Sequence, residues 1–462
     1  MQRRRSKIKR QYGCEEPVAS HLSFVREIVA AIFPSTRPKG DYLDNVILSR
    51  FDQHGNTHKL KGFLVDTLWT AEPENAKAML SQNFAEWNTR PYFRNSWSPL
   101  LGSSIAATEG QEWKSRRAAV APIFRSPQVA KISSLESHIV NLFASLDDDE
   151  NESGTKPVNA WEIFGRFSMD SNTELLLGET LNTQLQAHRT RSSDQILPDL
   201  SLADALNLAA RGCNQRMSAE RLSFLVNPPN FWDACKSLRL WTLPFVNSAV
   251  RKKTKPQTSA LKTTIASGDP RFVVLDALVT HIEDPSILVN ECLELLVAGH
   301  ENPAALLSFA FILLARHPHV LQHLRSDVLD QFGREESLRK DSTRDYLKLP
   351  YLQWVLYEAL RLYPTAPLNH RVATKDMILP KGGGPNGDCP ILVPQGQTVS
   401  ICVYQLHRRI DIWGDDAAIF RPERWDGLRP GWAFIPFGGG PRKCIGSKCK
   451  GLCRHKIFKY MC

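Results

Sequence analysis

Three of the ten cysteines in this 462-residue chain crowd near its end, Cys444, Cys449 and Cys453, behind consecutive glycines at 438–440. Cysteine sulfur can bind metals, pair as disulfides, or act as one strongly donating thiolate. Structural zinc sites use paired ligands, commonly Cys-x2-Cys, and iron–sulfur clusters need four thiolates at their own spacings. Gaps of four and three residues, with Cys462 at the end, fit neither well, although Cys453 with His455 leaves a zinc reading open. The residues around Cys444 favour a single ligand. Phe437 can shield a site, the glycines permit tight turns, Arg442 brings positive charge, and Gly446 allows close approach where a helix begins. A thiolate among backbone N–H donors at a helix N-terminus is stabilised as an anion.

Three other groupings could do chemistry. Glu358 and Arg361, three apart in YEALRLYP, share a helix face and alone read as an ordinary ion pair. Trp113 and Arg117, four apart in QEWKSRRAAV, also share a face, which alone says only amphipathic helix. The stretch AGHENP sets Glu301 and Asn302 directly before Pro303, inside a long apolar run. Proline lacks an N–H and clashes with the preceding turn, so a kink or a locally unwound turn is expected. Such a distortion in a buried helix marks a site; the bland alternative makes Glu301 a core acid that steadies the kink.

These residues need elements to position them. Helical hydrophobic spacing persists over 287–316, about thirty residues and roughly 45 Å of helix. A short strand followed by a helix opening after Glu72-Pro73 is expected within 63–84, a helix from Gly110 towards Pro122, and another over 350–364 that stops at Pro364. ILVPQGQTVSICVYQL alternates as strands around a turn, and composition marks loops at 147–154, 188–199 and 252–270. Without internal repeats or a long linker, the chain reads as mainly α with a minor β-sheet lobe. It divides into a basic segment and irregular lead-in (1–45), a single large domain (46–446) and an atypical tail (447–462).

With 42% hydrophobic residues the chain can bury a core large enough to enclose a cofactor. Ten scattered cysteines lack the framework of a secreted disulfide scaffold, so free thiols in a reducing compartment are expected. The net charge of +10 includes the start MQRRRSKIKRQ, either a solvated tail or a contact for a membrane surface or an acidic protein. Basic residues elsewhere are scattered and no recognition motif accompanies them, which disfavours nucleic acid. No apolar run follows the basic start as a signal peptide requires, and no segment is expected to span a membrane, 304–315 being too short.

Phe437, Gly440, Arg442, Cys444 and Gly446 match every fixed position of Phe-x-x-Gly-x-Arg-x-Cys-x-Gly, and the chain resembles the cytochrome P450 family. The resemblance, from about residue 60 to 446, implies the P450 fold and a haem whose iron takes Cys444 as axial ligand. Glu358 and Arg361 resemble the family's Glu-x-x-Arg pair, with Arg424 of FRPERW as third member of a buried structural network. Trp113 and Arg117 resemble Trp-x-x-x-Arg, so Arg117, Arg442 and Arg371 are expected to hold haem propionates, as guanidinium forks suit carboxylates. Residues 298–302 align with the oxygen-activating turn. Glu301 supplies its acid, but Asn302 stands where threonine is usual, and an amide is a poorer proton carrier than an alcohol.

TAEPENAKAML, SMDSNTELLLGET and the Gly-Gly-Gly-Pro insertion at 382–385 look like fungal alkane and fatty-acid hydroxylases. This implies hydroxylation of a long-chain aliphatic substrate near its terminal methyl. No Gly-x-Gly-x-x-Gly is present, so electrons are expected from an NADPH-cytochrome P450 reductase, docked on a basic face that includes Lys443, Lys448 and Lys450. Residence on the cytosolic face of the endoplasmic reticulum membrane is implied, although the chain starts with the basic segment that follows the anchor in microsomal members. The tail SKCKGLCRHKIFKYMC departs from the family's apolar helix and reads as a C-terminal truncation, its cysteines as bystanders. Two alternatives stand beside the monooxygenase: a non-catalytic, truncated haem-binding or apo remnant, and a zinc module built on the terminal cysteines.

Overall fold

The structure, a computed structural model, describes residues 2–21, 42–62, 66–126, 135–147, 157–186, 201–254, 272–332 and 349–447. Cys449, Cys453, Cys462, His455, Lys448 and Lys450 lie outside the described residues, as does the loop expected at 188–199 and most of those at 147–154 and 252–270. Internal contacts group the chain into two units: Met1–Ser96, Asn214–Asn227 and Tyr357–Cys444 in the first, Trp97–Cys213, Pro228–Leu356 and Ile445–Cys462 in the second.

In the first unit the basic start is not an irregular tail. It forms helix α1 (Gln2–Tyr12), rich in helix-favouring Arg, Lys and Gln, with Lys9 and Arg10 in the last turn where the helix dipole favours cations. Arg5 ties α1 down, its Nη2 donating to Asp376 Oδ1 at 2.9 Å. Strand β1 (Val18–His21) then joins a six-stranded mixed sheet with β2 (Thr57–Lys61), β3 (Thr67–Thr70), β4 (Trp87–Asn88), β5 (Leu368–Ala373) and β8 (Thr398–Cys402), in the order β1-β2-β3-β8-β5-β4. Strand β8 is buried throughout, pairing parallel to β3 and antiparallel to β5. β6 (Met377–Gly383) and β7 (Cys389–Val393) form a separate antiparallel pair. The two strands read around Pro394–Gln397 thus exist, but β7 and β8 belong to different sheets, because residue alternation reports a strand and not its partner. The expected helix after Glu72 is α2 (Pro73–Lys77), Pro73 occupying the first turn, where no N–H is needed; it runs on into a wider turn at Ala78–Gln82.

The second unit contains α3 (Gly110–Val120), α4 (Ala160–Leu177), α5 (Phe231–Thr254) and α6 (Pro285–Arg316). Asn159 caps α4, and Gly178 ends it in the left-handed conformation. The 32-residue α6 starts at Asp284, whose carboxylate accepts from Ser286 N at 2.8 Å, and packs on both α4 and α5. α6 is helical through Pro303, without the locally unwound turn that was one of the two outcomes expected there; Pro303 withdraws the N–H that the Gly299 carbonyl would receive. By length and composition α6 is also apolar enough to cross a membrane, contrary to the expectation that no segment would be. Its apolar residues are instead spent on a protein core, with Leu288, Leu293, Leu306 and Ala310 at 0% exposure. Helix α7 (Pro350–Leu362) starts in the second unit and ends in the first, two residues before Pro364.

Candidate functional site

The expected site residues divide between the units. Arg371, Glu358, Arg361, Arg424, Phe437, Gly440, Arg442 and Cys444 belong to the first, and Trp113, Arg117, Glu301, Asn302 and Gly446 to the second.

Cys444 closes a loop that folds back on itself. Its N–H donates to Phe437 O at 3.0 Å, Lys443 N donates to Gly440 O at 3.1 Å, and Gly438 N donates to Ile435 O at 3.0 Å. These three donors go to backbone carbonyls, as positive φ at Gly438 and Gly440 turns the backbone onto itself. Gly440 is irreplaceable in this path, since a Cβ there would sit 1.7 Å from Leu80 O. Phe437, Arg442 and Cys444 are partly buried, and Lys443 is exposed. All seven cysteines among the described residues are free thiols. Four of them, Cys213, Cys235, Cys292 and Cys402, are buried, and burial pushes Cys402 up to about 12 and Cys292 higher still, making both poor thiolates.

Behind the loop lies a buried ionic network. Glu358 and Arg361 on α7 are fully buried and meet bidentately, Nε to Oε2 at 2.8 Å and Nη2 to Oε1 at 2.7 Å. Arg424 Nε donates to Glu358 Oε1 at 2.8 Å, Arg421 N to the same oxygen at 3.1 Å, and Trp425 Nε1 to Oε2 at 3.0 Å. With five donors on one carboxylate, the charge cost of burial is offset by hydrogen bonds. Arg361 also donates to the carbonyls of His407 at 2.8 Å and Ala417 at 2.6 Å, and Arg424 reaches Asp416 Oδ1 at 3.1 Å.

The sequence reading missed His407 and Asp416. His407 is fully buried, and its Nε2 accepts from Ile435 N at 3.0 Å, at the foot of the cysteine loop. Burial, then the charges of Arg361 and Arg408, push it down to about 3, so the ring is neutral, with its proton on Nδ1 and Nε2 free to accept. Phe434 packs between the rings of His407 at 5.1 Å and Trp425 at 4.5 Å. In LHRRIDIW the histidine stands between Leu406 and two arginines, and nothing local marked it as buried or tied it to position 435.

Arg371 sits on β5 opposite Val399, its Nη1 donating to His370 O at 2.8 Å. In the second unit, Trp113 is buried on α3 and Arg117 half-buried one turn later. Glu301 and Asn302 are half-buried on α6; burial raises the Glu301 acid, opposed by Arg211, and Asn302 Nδ2 donates back to Ala298 O at 3.2 Å. Two further acids in the same helix went unremarked in the sequence. Glu291 is fully buried with neither carboxylate oxygen hydrogen-bonded, its nearest cation Arg116 Nε at 3.7 Å, and burial raises it to about 8. Glu294 accepts from Ser104 Oγ at 3.1 Å and is raised to about 7, again by burial.

Among the described residues no three His, Cys, Asp or Glu side chains gather as a bare metal ion would require. A lone, partly exposed thiol on a glycine-turned loop suits an iron that brings its own four equatorial ligands in a porphyrin and needs one sulfur from the protein. The comparisons agree. The cytochrome P450 family model matches residues 34–458. Cytochrome P450 52A12 of Debaryomyces hansenii is 34% identical over 452 residues, 96% of this chain and 84% of its own. Cytochrome P450 monooxygenase g430 of a Fusarium species is 31% identical over 449 residues, 96% of this chain and 78% of its own. Cytochrome P450 52A6 of Candida tropicalis is 36% identical over 385 residues, 82% and 71%. With the family model matched over nearly the whole length and relatives of 31–36% identity covering most of the chain, this chain belongs to the cytochrome P450 monooxygenases, whose cofactor is haem.

Proposed function

We propose that this monooxygenase hydroxylates a long-chain aliphatic substrate, an n-alkane or a fatty acid, with electrons from NADPH delivered by a separate NADPH-cytochrome P450 reductase at the cytosolic face of the endoplasmic reticulum membrane. The observation that carries the reaction type is the Cys444 loop. The substrate class rests on the resemblance to fungal alkane and fatty-acid hydroxylases and on relatives named cytochrome P450 52A, matched over 82% and 96% of the chain.

In this reading Cys444 gives its sulfur to the iron, with Phe437 shielding it and Gly440 and Gly446 shaping the loop. Arg117, Arg371 and Arg442 would hold the propionates, guanidinium forks matching carboxylates, with Trp113 beside Arg117 on the same helix face. Haem, when bound, supplies dioxygen activation and oxygen insertion into the C–H bond. Monooxygenation, RH + O2 + 2 e− + 2 H+ → ROH + H2O, consumes two protons, which Glu301 holds and passes while Asn302 orients the water that carries them. Burial suits Glu301 to this task by moving its carboxyl towards neutral pH. Asn302 orients through its amide oxygen and its second N–H, one of its two N–H donors being held by Ala298 O. Glu358, Arg361 and Arg424 perform no chemistry and frame the cysteine loop. Exposed Lys443 offers an acidic reductase surface one contact.

The test is turnover of the haem-loaded chain with reductase, NADPH and a long-chain fatty acid or n-alkane. An NADPH-dependent product hydroxylated near the terminal methyl is expected. A haem-thiolate protein that consumes NADPH yet leaves every aliphatic chain unmodified would overturn the substrate class.

A further inference from the structure

The path from the buried network to the cysteine loop is continuous within the first unit. Glu358 holds Arg361, Arg361 donates to His407 O at 2.8 Å, the His407 ring accepts Ile435 N at 3.0 Å, Ile435 O accepts Gly438 N at 3.0 Å, and Phe437 O accepts Cys444 N at 3.0 Å. Only the imidazole link joins a side chain to the loop's backbone along this path. We propose that His407 is the positioning residue for Cys444, a neutral acceptor that pins the Ile435 amide and so transmits the rigidity of the Glu358–Arg361–Arg424 network to the thiolate loop.

Three features support this. First, His407 is at 0% exposure, so no solvent competes for the Ile435 N–H, and a buried amide deprived of its acceptor is costly. Second, aromatic neighbours crowd the ring, Phe434 tilted against it at 5.1 Å and Trp413 nearly perpendicular at 6.4 Å, which restricts its rotation. Third, the adjoining residue Phe434 is itself packed by Tyr357 and Trp425, the latter a donor to Glu358, so the network and the loop share one wall. The inference rests on reading Cys444 as the iron's ligand, and it adds that the ligand's geometry is set from residue 407.

The experiment compares His407→Phe, which keeps an aromatic ring but no acceptor, with His407→Gln, whose amide oxygen can accept. Two readouts serve: hydrogen exchange at the Ile435 amide, and the lifetime of the red-shifted Soret band of the reduced carbon monoxide complex. His407→Phe is expected to speed Ile435 exchange and shorten the band's lifetime, each at least ~10-fold, with His407→Gln restoring most of both. Unchanged exchange and lifetime in His407→Phe would overturn the proposal, as would equal loss in both variants, which marks mere core packing. Should His407→Phe fail to fold, the wild-type chain decides: the Ile435 amide must exchange as slowly as amides of the α7 core, and exchange at the rate of exposed loops refutes the tether. A wild-type chain with no red-shifted band would refute the reading of Cys444, leaving the exchange result to judge the tether alone.

Discussion

At the residue scale, Asn302 and the buried histidines each yield a prediction about protons. Asn302 gives one of its two amide N–H donors to Ala298 O, and a neutral amide, whose donor and acceptor sit on different atoms, cannot give and take a proton as a hydroxyl does. Asn302→Thr is therefore expected to raise product formed per NADPH several-fold, measured by product yield against NADPH consumption; an unchanged or lower ratio contradicts the relay. His407 behaves in the opposite sense to an ordinary surface histidine. The groups facing it are the guanidinium groups of Arg361 and Arg408 and the rings of Phe434 and Trp413, and its folded value is about 3 against an ordinary 6.5. Between those values the unfolded chain binds a proton that the folded chain refuses, so stability is lost as pH falls from 6.5 towards 3. His58 and His300, each lowered to about 4 by burial, add to the same slope. Melting temperature against pH should therefore fall on the acid side, and His407→Gln should make that fall shallower; an identical slope in the variant would contradict a neutral buried imidazole.

At the scale of elements, the cysteine loop and α6 each carry one decisive position. Gly440 combines φ of +62° with a backbone contact that leaves no room for a methyl group. Gly440→Ala should cost more than about 3 kcal/mol or displace the loop, read as lost cooperativity in unfolding and lost haem retention. On α6, Glu291 keeps its proton to about pH 8 in the folded chain against 4.5 unfolded, so its contribution to stability declines as pH rises through that window and leaves a buried charge above it. Glu291→Gln should melt higher than the wild type at about pH 9, with the difference shrinking by about pH 5; equal melting at both would mean that Arg116 at 3.7 Å neutralises the carboxylate fully. The helices α6 and α7 were legible because 3.6-residue apolar spacing and flanking prolines are local signals. The partners of β7 and β8 were not, since pairing depends on residues such as Thr67 and Thr398 that lie 331 positions apart. The basic start hid α1 for a related reason: its docking depends on Asp376, far along the chain.

At the scale of the molecule, the sequence carried the chemistry further than the architecture. A ten-residue pattern around Cys444 and the triple Glu358, Arg361 and Arg424 pointed to haem-thiolate catalysis, and the structure brings those three side chains into one buried network within 2.8 Å contacts. The link from that network to the loop through His407 needed the fold, because Arg361, His407 and Ile435 come from three separate segments of the chain. The division of the candidate residues between two contact units also had no signature in composition. What the whole chain must do is hold haem by one sulfur. The direct measurement is the absorption spectrum of the reduced, carbon monoxide-bound, haem-loaded chain beside its Cys444→Ser variant. A strongly red-shifted Soret band in the wild type that vanishes in the variant is the predicted result. An unshifted band, no bound haem, or a shifted band that survives Cys444→Ser would contradict the account.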